Sequence, residues 1–260
     1  GLKKITEFSK KLNIYENPKE LYSISLGSAE TTLLKLTAAY CSFVNGGKLI
    51  EPIYIDRIQD SEGYTIFNSE KRICDRCEAI SYLGNNYPKI KDNFEQIFSE
   101  ETAYQLTSML EGAVQRGTGK GLKDLNLNLA GKTGTTNENT DAWFIGFTSN
   151  MVVGVYVGFD EPKTLGKYET GAKAALPVFK KFVEETVRKN DALPFKVPKN
   201  ISLALVDAET GLQPDADSKK IIYESFKMKD NNVVGLEKLS DKDKLEFYDS
   251  ENKKTILKFY

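Results

Sequence analysis

The chain has 260 residues, 40% of them hydrophobic and 28% charged, with a formal net charge of −1. This fits a globular protein of one large domain, or a domain plus an appendage, without the basic excess of a nucleic-acid binder. Histidine is absent, which removes Ser-His-Asp and Cys-His catalysis and every imidazole metal site. Acid–base work near neutrality then falls to Lys, Tyr or a carboxylate of shifted pKa. No run of about 18 apolar residues exists to span a bilayer, and no signal peptide is legible. The first residue is Gly1 rather than Met, which reads as a piece of a longer protein.

Leu2, Ile5, Phe8 and Leu12 recur at helical spacing and predict a short amphipathic helix over 2–12. Residues 30–44 read as a second helix, apolar round most of its girth and therefore buried. Asn45-Gly46-Gly47 ends it. Residues 51–67 read as a hairpin around Asp60-Ser61-Glu62-Gly63, and 71–96 as a polar surface excursion. That excursion holds Cys74-x-x-Cys77, which as a spacing is open to redox activity, half a zinc site, a local disulfide or an incidental pair. Ser99 before Glu100 and Glu101 predicts an N-capped helix ending near Arg116. The glycine-rich "RGTGKG" after it lacks the spacing of a phosphate loop.

Three strands follow, at 129–136, in "AWFIGF" and in "VVGVYVGF". Short links predict an antiparallel meander. Gly146, Gly154 and Gly158 predict a small-residue face, onto which a helix starting near Pro177 would lie with Phe179, Phe182, Val183 and Val187. "LPFKVPKN" reads as a linker, and 201–228 as a short strand with a "DAETG" turn. The charged segment from Lys229 onward buries little and is expected to be ordered in part. The domain reading is therefore 1–195 and 196–260, in the α/β (α+β) class, with an antiparallel sheet flanked by helices.

The chemistry concentrates in Lys132-Thr133-Gly134-Thr135-Thr136. On a strand, Lys132 and Gly134 share one face, Thr133 and Thr135 the other. Gly134 removes a side chain where something must come close. Threonine hydroxyls and an ammonium favour a carboxylate ligand. A free strand edge can pair with an extended peptide, and one of its N–H groups can serve an oxyanion. Together these parts suit a peptide with a free C-terminus, poised for acyl transfer. The bland alternative is an exposed strand with a lysine and threonines; the tripeptide alone arises by chance in about one chain in twenty of this length.

The stretch resembles the K-T-G motif of penicillin-binding proteins and serine β-lactamases. The longer strings "AGKTGTTNENTDAWFIGFTSNMVVGVYVGFD", "YSISLGSAETTLLKLTAAYCSFVNGG", "TAYQLTSMLEGAVQRGTG" and "GAKAALPVFKKF" are similar to the transpeptidase domain of class A penicillin-binding proteins, near the 1A type. The resemblance covers 1–195 and, loosely, 196–228. It implies a β-lactamase/DD-peptidase-like fold, incomplete on its N-terminal side. It implies a peptidoglycan DD-transpeptidase that forms a serine acyl-enzyme with D-Ala-D-Ala stem peptides and is acylated by β-lactams. Lys132 and Thr135 would be catalytic: Lys132 for electrostatic orientation and proton traffic, the Thr135 amide as an oxyanion donor. Thr133 and Thr135 would hold the substrate carboxylate, Gly134 would admit the substrate backbone, and Thr136 would complete the binding strand. No cofactor, metal or nucleic acid is implied. Membrane attachment would come only through an anchor outside this chain, with cell-wall synthesis proteins as further partners. The place implied is the periplasmic face of the bacterial inner membrane.

No S-x-x-K or S-x-N precedes Lys132; only Ser250-Glu251-Asn252-Lys253 fits either, by overlap, in the charged tail. The expectation is that the nucleophilic serine lies outside these 260 residues, that this piece is inert alone, and that it exposes apolar surface which absent helices would cover. Two other readings stay open: a non-catalytic peptidoglycan-binding module of the same fold, and a hydrolase of the β-lactamase type.

Overall fold

The computed structural model describes residues 1–70, 72–77, 87–188, 193–229 and 232–233. These fall into two compact units, Gly1–Phe195 and Lys196–Tyr260. The expectation for the charged tail falls almost wholly outside the described residues.

In the first unit, helix α1 spans Leu2–Lys11. Helix α2 spans Leu33–Val44, three residues shorter at its start than the apolar pattern suggests. The reason is a cap: the Thr32 side chain accepts a hydrogen bond from Lys35 N and ends the helix there. The helix is only half-buried, not the buried helix its composition implies. Ala39 and Ser42 lie inside, whereas Leu34 is 44% exposed.

The arm 51–95 leaves the fold between the end of α2 and the next long helix. Its base is fixed by a bridge from Lys48 to Gln96 and by Leu49 N donating to Glu95 O. It carries two small hairpins. In the first, β1 (Arg57–Gln59) pairs antiparallel with β2 (Thr65–Asn68). Asp60 Oδ1 accepts from Glu62 N and Tyr64 N and sets the turn. The strands are shorter than the β-rich run, because 51–56 pair with nothing regular. In the second, β3 (Ile73–Asp75) pairs with β4 (Lys89–Lys91). Cys74 and Cys77 are joined as a disulfide, and no cluster of metal-ligand residues occurs among the described residues.

Helix α3 spans Glu100–Gln115, with Ser99 Oγ accepting from Thr102 N and two acids in the first turn, as the sequence predicts. A 3₁₀ turn over Lys120–Leu125 then leads to the main sheet. Strands β5 (Ala130–Thr135), β6 (Asp141–Phe147) and β7 (Val152–Gly158) form the predicted antiparallel meander in the order β5-β6-β7. A π-helical turn, Gly171–Ala175, opens into helix α4, Leu176–Thr186.

Register decides what covers each face. Gly146 pairs with Val153, and Gly154 pairs with Ile145. Gly146 therefore faces the same way as Val153, Val155 and Val157, and α4 covers that face: Phe179 meets Phe144 at 4.8 Å between ring centroids. Gly154 faces the other way, where a Cβ would strike Thr37 and Leu33 of α2. The predicted single small-residue face is thus two half-faces, one under each helix. The core between the sheet and α4 is Val114, Leu122, Leu129, Ala142, Phe144, Ala175, Leu176, Phe179 and Val183. Truncating a phenylalanine at such a site costs roughly 3–5 kcal/mol.

In the second unit, β8 (Ile201–Asp207) pairs antiparallel with β9 (Ile221–Lys229), which pairs with β10 (Asn232–Val233). The sequence reading has one short strand here; the alternation of charged residues through β9 hides the second.

Candidate functional site

β5 is an edge strand: β6 is its only strand neighbour among the described residues. Register pairs Lys132 with Ile145, Thr133 with Phe144, Gly134 with Trp143 and Thr135 with Ala142. Thr136 N donates to Asp141 O at 3.2 Å, so the ladder's alternation makes Gly134 and Lys132 the inward-bonding residues of β5. The N–H and C=O groups of Thr133 and Thr135 consequently point outward, away from β6. This is the geometry by which an edge strand accepts a further extended chain.

Each of the five residues then has a definite place. Lys132 is exposed, and its Nζ donates to Thr133 O at 2.9 Å and to Thr133 Oγ1 at 3.4 Å. The ammonium therefore lies at the open edge. The Thr133 hydroxyl shares a 2.8 Å hydrogen bond with the Thr118 hydroxyl. Gly134 lies opposite Trp143, whose Cβ would sit 3.1 Å from an added methyl. Thr135 is exposed, and its Oγ1 accepts from Gly171 N at 3.0 Å. Thr136 is engaged in the turn: its Oγ1 accepts from Asp141 N at 2.8 Å and bonds the Thr140 hydroxyl at 2.7 Å. Four residues thus meet at the edge, and the fifth shapes the turn beside it.

Two further residues brace this edge and are not legible as such in the sequence. Thr118 comes from the turn after α3, which itself packs along β5. Gly171 opens the π turn; a Cβ there would strike the carbonyl oxygens of Gly134 and Trp143. Only a glycine lets that turn lie against the strand and direct its N–H onto Thr135. The β5–β6 loop is held from outside as well. Asn139 Nδ2 donates to Gly166 O and Lys167 O, each at 3.1 Å, and its carbonyl accepts from Leu165 N at 2.8 Å. On the face shared with Lys132 and Gly134, Trp143 stacks against Tyr156 at 4.8 Å, and the Tyr156 hydroxyl donates to Asp141 at 2.9 Å. That bond to Asp141 raises the Tyr156 pKa above its ordinary value.

The surface cleft of about 800 Å³ lined by Ile14, Tyr15, Ile24, Thr31 and Lys35 includes no residue of β5. It carries none of this chemistry. The candidate site is an open edge rather than a cavity.

A family model described as the penicillin binding protein transpeptidase domain matches residues 4–184. The chain belongs to the penicillin-binding protein transpeptidase family. Penicillin-binding protein 1A of Rickettsia typhi is 43% identical over 240 residues, covering 91% of this chain and 30% of that relative. The crystal structure of penicillin-binding protein 1A from Haemophilus influenzae superposes with a TM-score of 0.67 at 28% identity, covering 92% of this chain and 38% of that one. PonA1 from Mycobacterium tuberculosis, solved in complex with penicillin V, gives a TM-score of 0.51 at 21% identity and shares the fold; it covers 70% of this chain and 45% of its own. The penicillin-binding fold thus runs through most of the chain, while the chain spans about a third of the relative's length. Among the described residues, no helix is long and apolar enough to cross a membrane.

Proposed function

We propose that the outer edge of β5 is the substrate edge of a peptidoglycan DD-transpeptidase, and that this chain is the part of that enzyme which holds the stem peptide. The observation that carries the reading is the alternation at β5. Thr133 and Thr135 turn their backbone groups to an unpaired edge at which the Lys132 ammonium lies. A D-Ala-D-Ala terminus laid along this edge as an added strand has its carboxylate met by Lys132 and the threonine hydroxyls. The Thr135 N–H is one oxyanion donor for the carbonyl of the penultimate D-Ala. Gly134 keeps the strand surface clear for the substrate backbone.

In this reading a serine hydroxyl attacks that carbonyl, the terminal D-Ala leaves with the proton, and an acyl-enzyme remains. The amine of a neighbouring stem then displaces the serine and forms the cross-link. A β-lactam enters the same path and stays as the acyl group. No S-x-x-K precedes Lys132 in the 260 residues, so the serine and its lysine come from sequence outside them. The chain alone then binds without acylating. The enzyme works at the periplasmic face of the inner membrane, where its substrate lies, beside other cell-wall synthesis proteins.

Fluorescent penicillin tests the reading. The longer protein labels covalently and the 260-residue chain does not. In the longer protein, Lys132→Ala lowers the acylation rate by about a hundredfold or more with little change in Tm. An unchanged rate removes Lys132 from the mechanism. A longer protein that binds peptidoglycan yet never labels would instead be a non-catalytic module of the same fold.

A further inference from the structure

We propose that Thr118 is a positioning residue for substrate recognition: its hydroxyl fixes that of Thr133 as a donor, and so sets how strongly the β5 edge prefers a free carboxylate to the neutral ester of the same ligand. The inference rests on the reading of that edge given above, and it gives the glycine-rich turn after α3 a role.

The turn presents the residue. Gly117 N and Gly119 N both donate to Ala113 O, at 3.1 and 2.9 Å, so one carbonyl in the last turn of α3 holds the chain on both sides of Thr118. A Cβ on Gly117 would sit 2.9 Å from that oxygen, and one on Gly119 3.2 Å from it. Glycine on each side is what lets the turn close this tightly on the helix end. Thr118 carries the side chain between them, and its hydroxyl lies 2.8 Å from the Thr133 hydroxyl.

The direction of that bond follows from the neighbours. A threonine hydroxyl has one proton to donate and two lone pairs with which to accept. At Thr133, one lone pair faces Lys132 Nζ at 3.4 Å, because an ammonium only donates. A carboxylate only accepts, so a carboxylate at this edge takes the Thr133 proton. The bond to Thr118 then has a single direction left: Thr118 donates into the second lone pair of Thr133. The result is a line of donors from Thr118 through Thr133 to the ligand, with the Lys132 ammonium beside it. Thr135 is set in the same way, since its Oγ1 accepts from Gly171 N at 3.0 Å and keeps its proton for the ligand. Hydroxyl dipoles aligned in a chain strengthen one another, and an anionic acceptor gains more from them than a neutral one. Loss of the Thr118 hydroxyl therefore costs a free acid more than its ester.

The test uses the longer protein with benzylpenicillin and its methyl ester, and reads the second-order acylation rate by competition with fluorescent penicillin. We expect Thr118→Val to lower the rate for the acid about tenfold and for the ester less than about threefold, so that the acid-to-ester ratio falls. Thr118→Ser restores the ratio. On a Thr133→Val background, Thr118→Val changes the rate for the acid by less than about twofold, because its hydroxyl acts through Thr133. Thr118→Ala deletes the same hydroxyl, gives the same fall in the ratio, and serves where the valine variant folds poorly. A ratio that keeps its parent value in both Thr118 variants while Thr133→Val lowers it, or equal losses with and without the Thr133 hydroxyl, overturns the inference and leaves the reading of the edge standing. A Thr133→Val protein whose ratio matches the parent's overturns both.

Discussion

Asp207 shows how much one carboxylate can hold at the residue scale. It is 6% exposed at the end of β8. Its Oδ1 accepts from Glu209 N at 2.8 Å, Thr210 N at 2.9 Å and Thr210 Oγ1 at 3.3 Å, which closes the "DAETG" turn that the sequence announces. Burial pushes its pKa up, but the bonds from Thr210, Ser218 and Glu209 together outweigh burial and hold it below the ordinary carboxylate value. A folded pKa below the unfolded one means stability that is present at neutral pH and lost as pH falls through the folded value. Asp207→Asn should therefore melt lower than the parent at neutral pH, and the gap should close as pH falls below the ordinary aspartate range and through the lowered folded value. Thermal melts across that range, read on the β8–β9 sheet by amide exchange, check it. A gap that persists in acid assigns the loss to geometry rather than charge.

At the scale of elements, local chemistry decides where helices begin and long-range chemistry decides what they cover. Ser99 caps α3 where the sequence indicates, whereas Thr32 moves the start of α2 inward because its hydroxyl is the better cap within an apolar run. The meander is legible from its short links and alternating apolar residues. The π turn is not, because what requires Gly171 is the backbone of Gly134 in β5 and Trp143 in β6, far away in sequence. Likewise Lys132 to Thr135 stand out in the sequence, but the Thr118 brace is a contact across 15 residues. The single glycine face expected from the sequence divides in two because register across strands, not parity counted along the chain, sets which glycines share a side. This correction is testable. With α2 over Gly154, Gly154→Ala should lose about 1–3 kcal/mol by overpacking against Thr37 and Leu33. Thr37→Ala removes the hydroxyl in its way, so the double variant should fall short of the summed losses by at least about 0.5 kcal/mol. Urea unfolding of the four chains measures the cycle; strict additivity would place α2 elsewhere.

The first unit combines a well-packed sheet core with an arm whose described residues are nearly all exposed. Phe144, Phe147 and Phe179 are each at most 1% exposed. On the arm, by contrast, Tyr54, Ile66 and Tyr64 are 78%, 70% and 69% exposed, and Ile53, Ile55, Ile58, Phe67, Ile73 and Ile90 are exposed as well. Scattered apolar side chains are ordinary on a surface, but a run of this length along one segment is not. The net charge of −1 adds little electrostatic repulsion between copies. Both facts point the same way: the isolated chain should bind anilinonaphthalene sulfonate while fully folded and should self-associate as concentration rises. Replacing Ile66 and Phe67 by serine leaves the sheet core untouched, since both lie on the β1–β2 hairpin, whose described residues are all exposed. That variant should lose a measurable part of the dye fluorescence and self-associate less, with a Tm within about 2 °C of the parent. Fluorescence unchanged by the substitution would place the dye on other exposed apolar residues, those at 53–58 of the arm or Leu34 of α2.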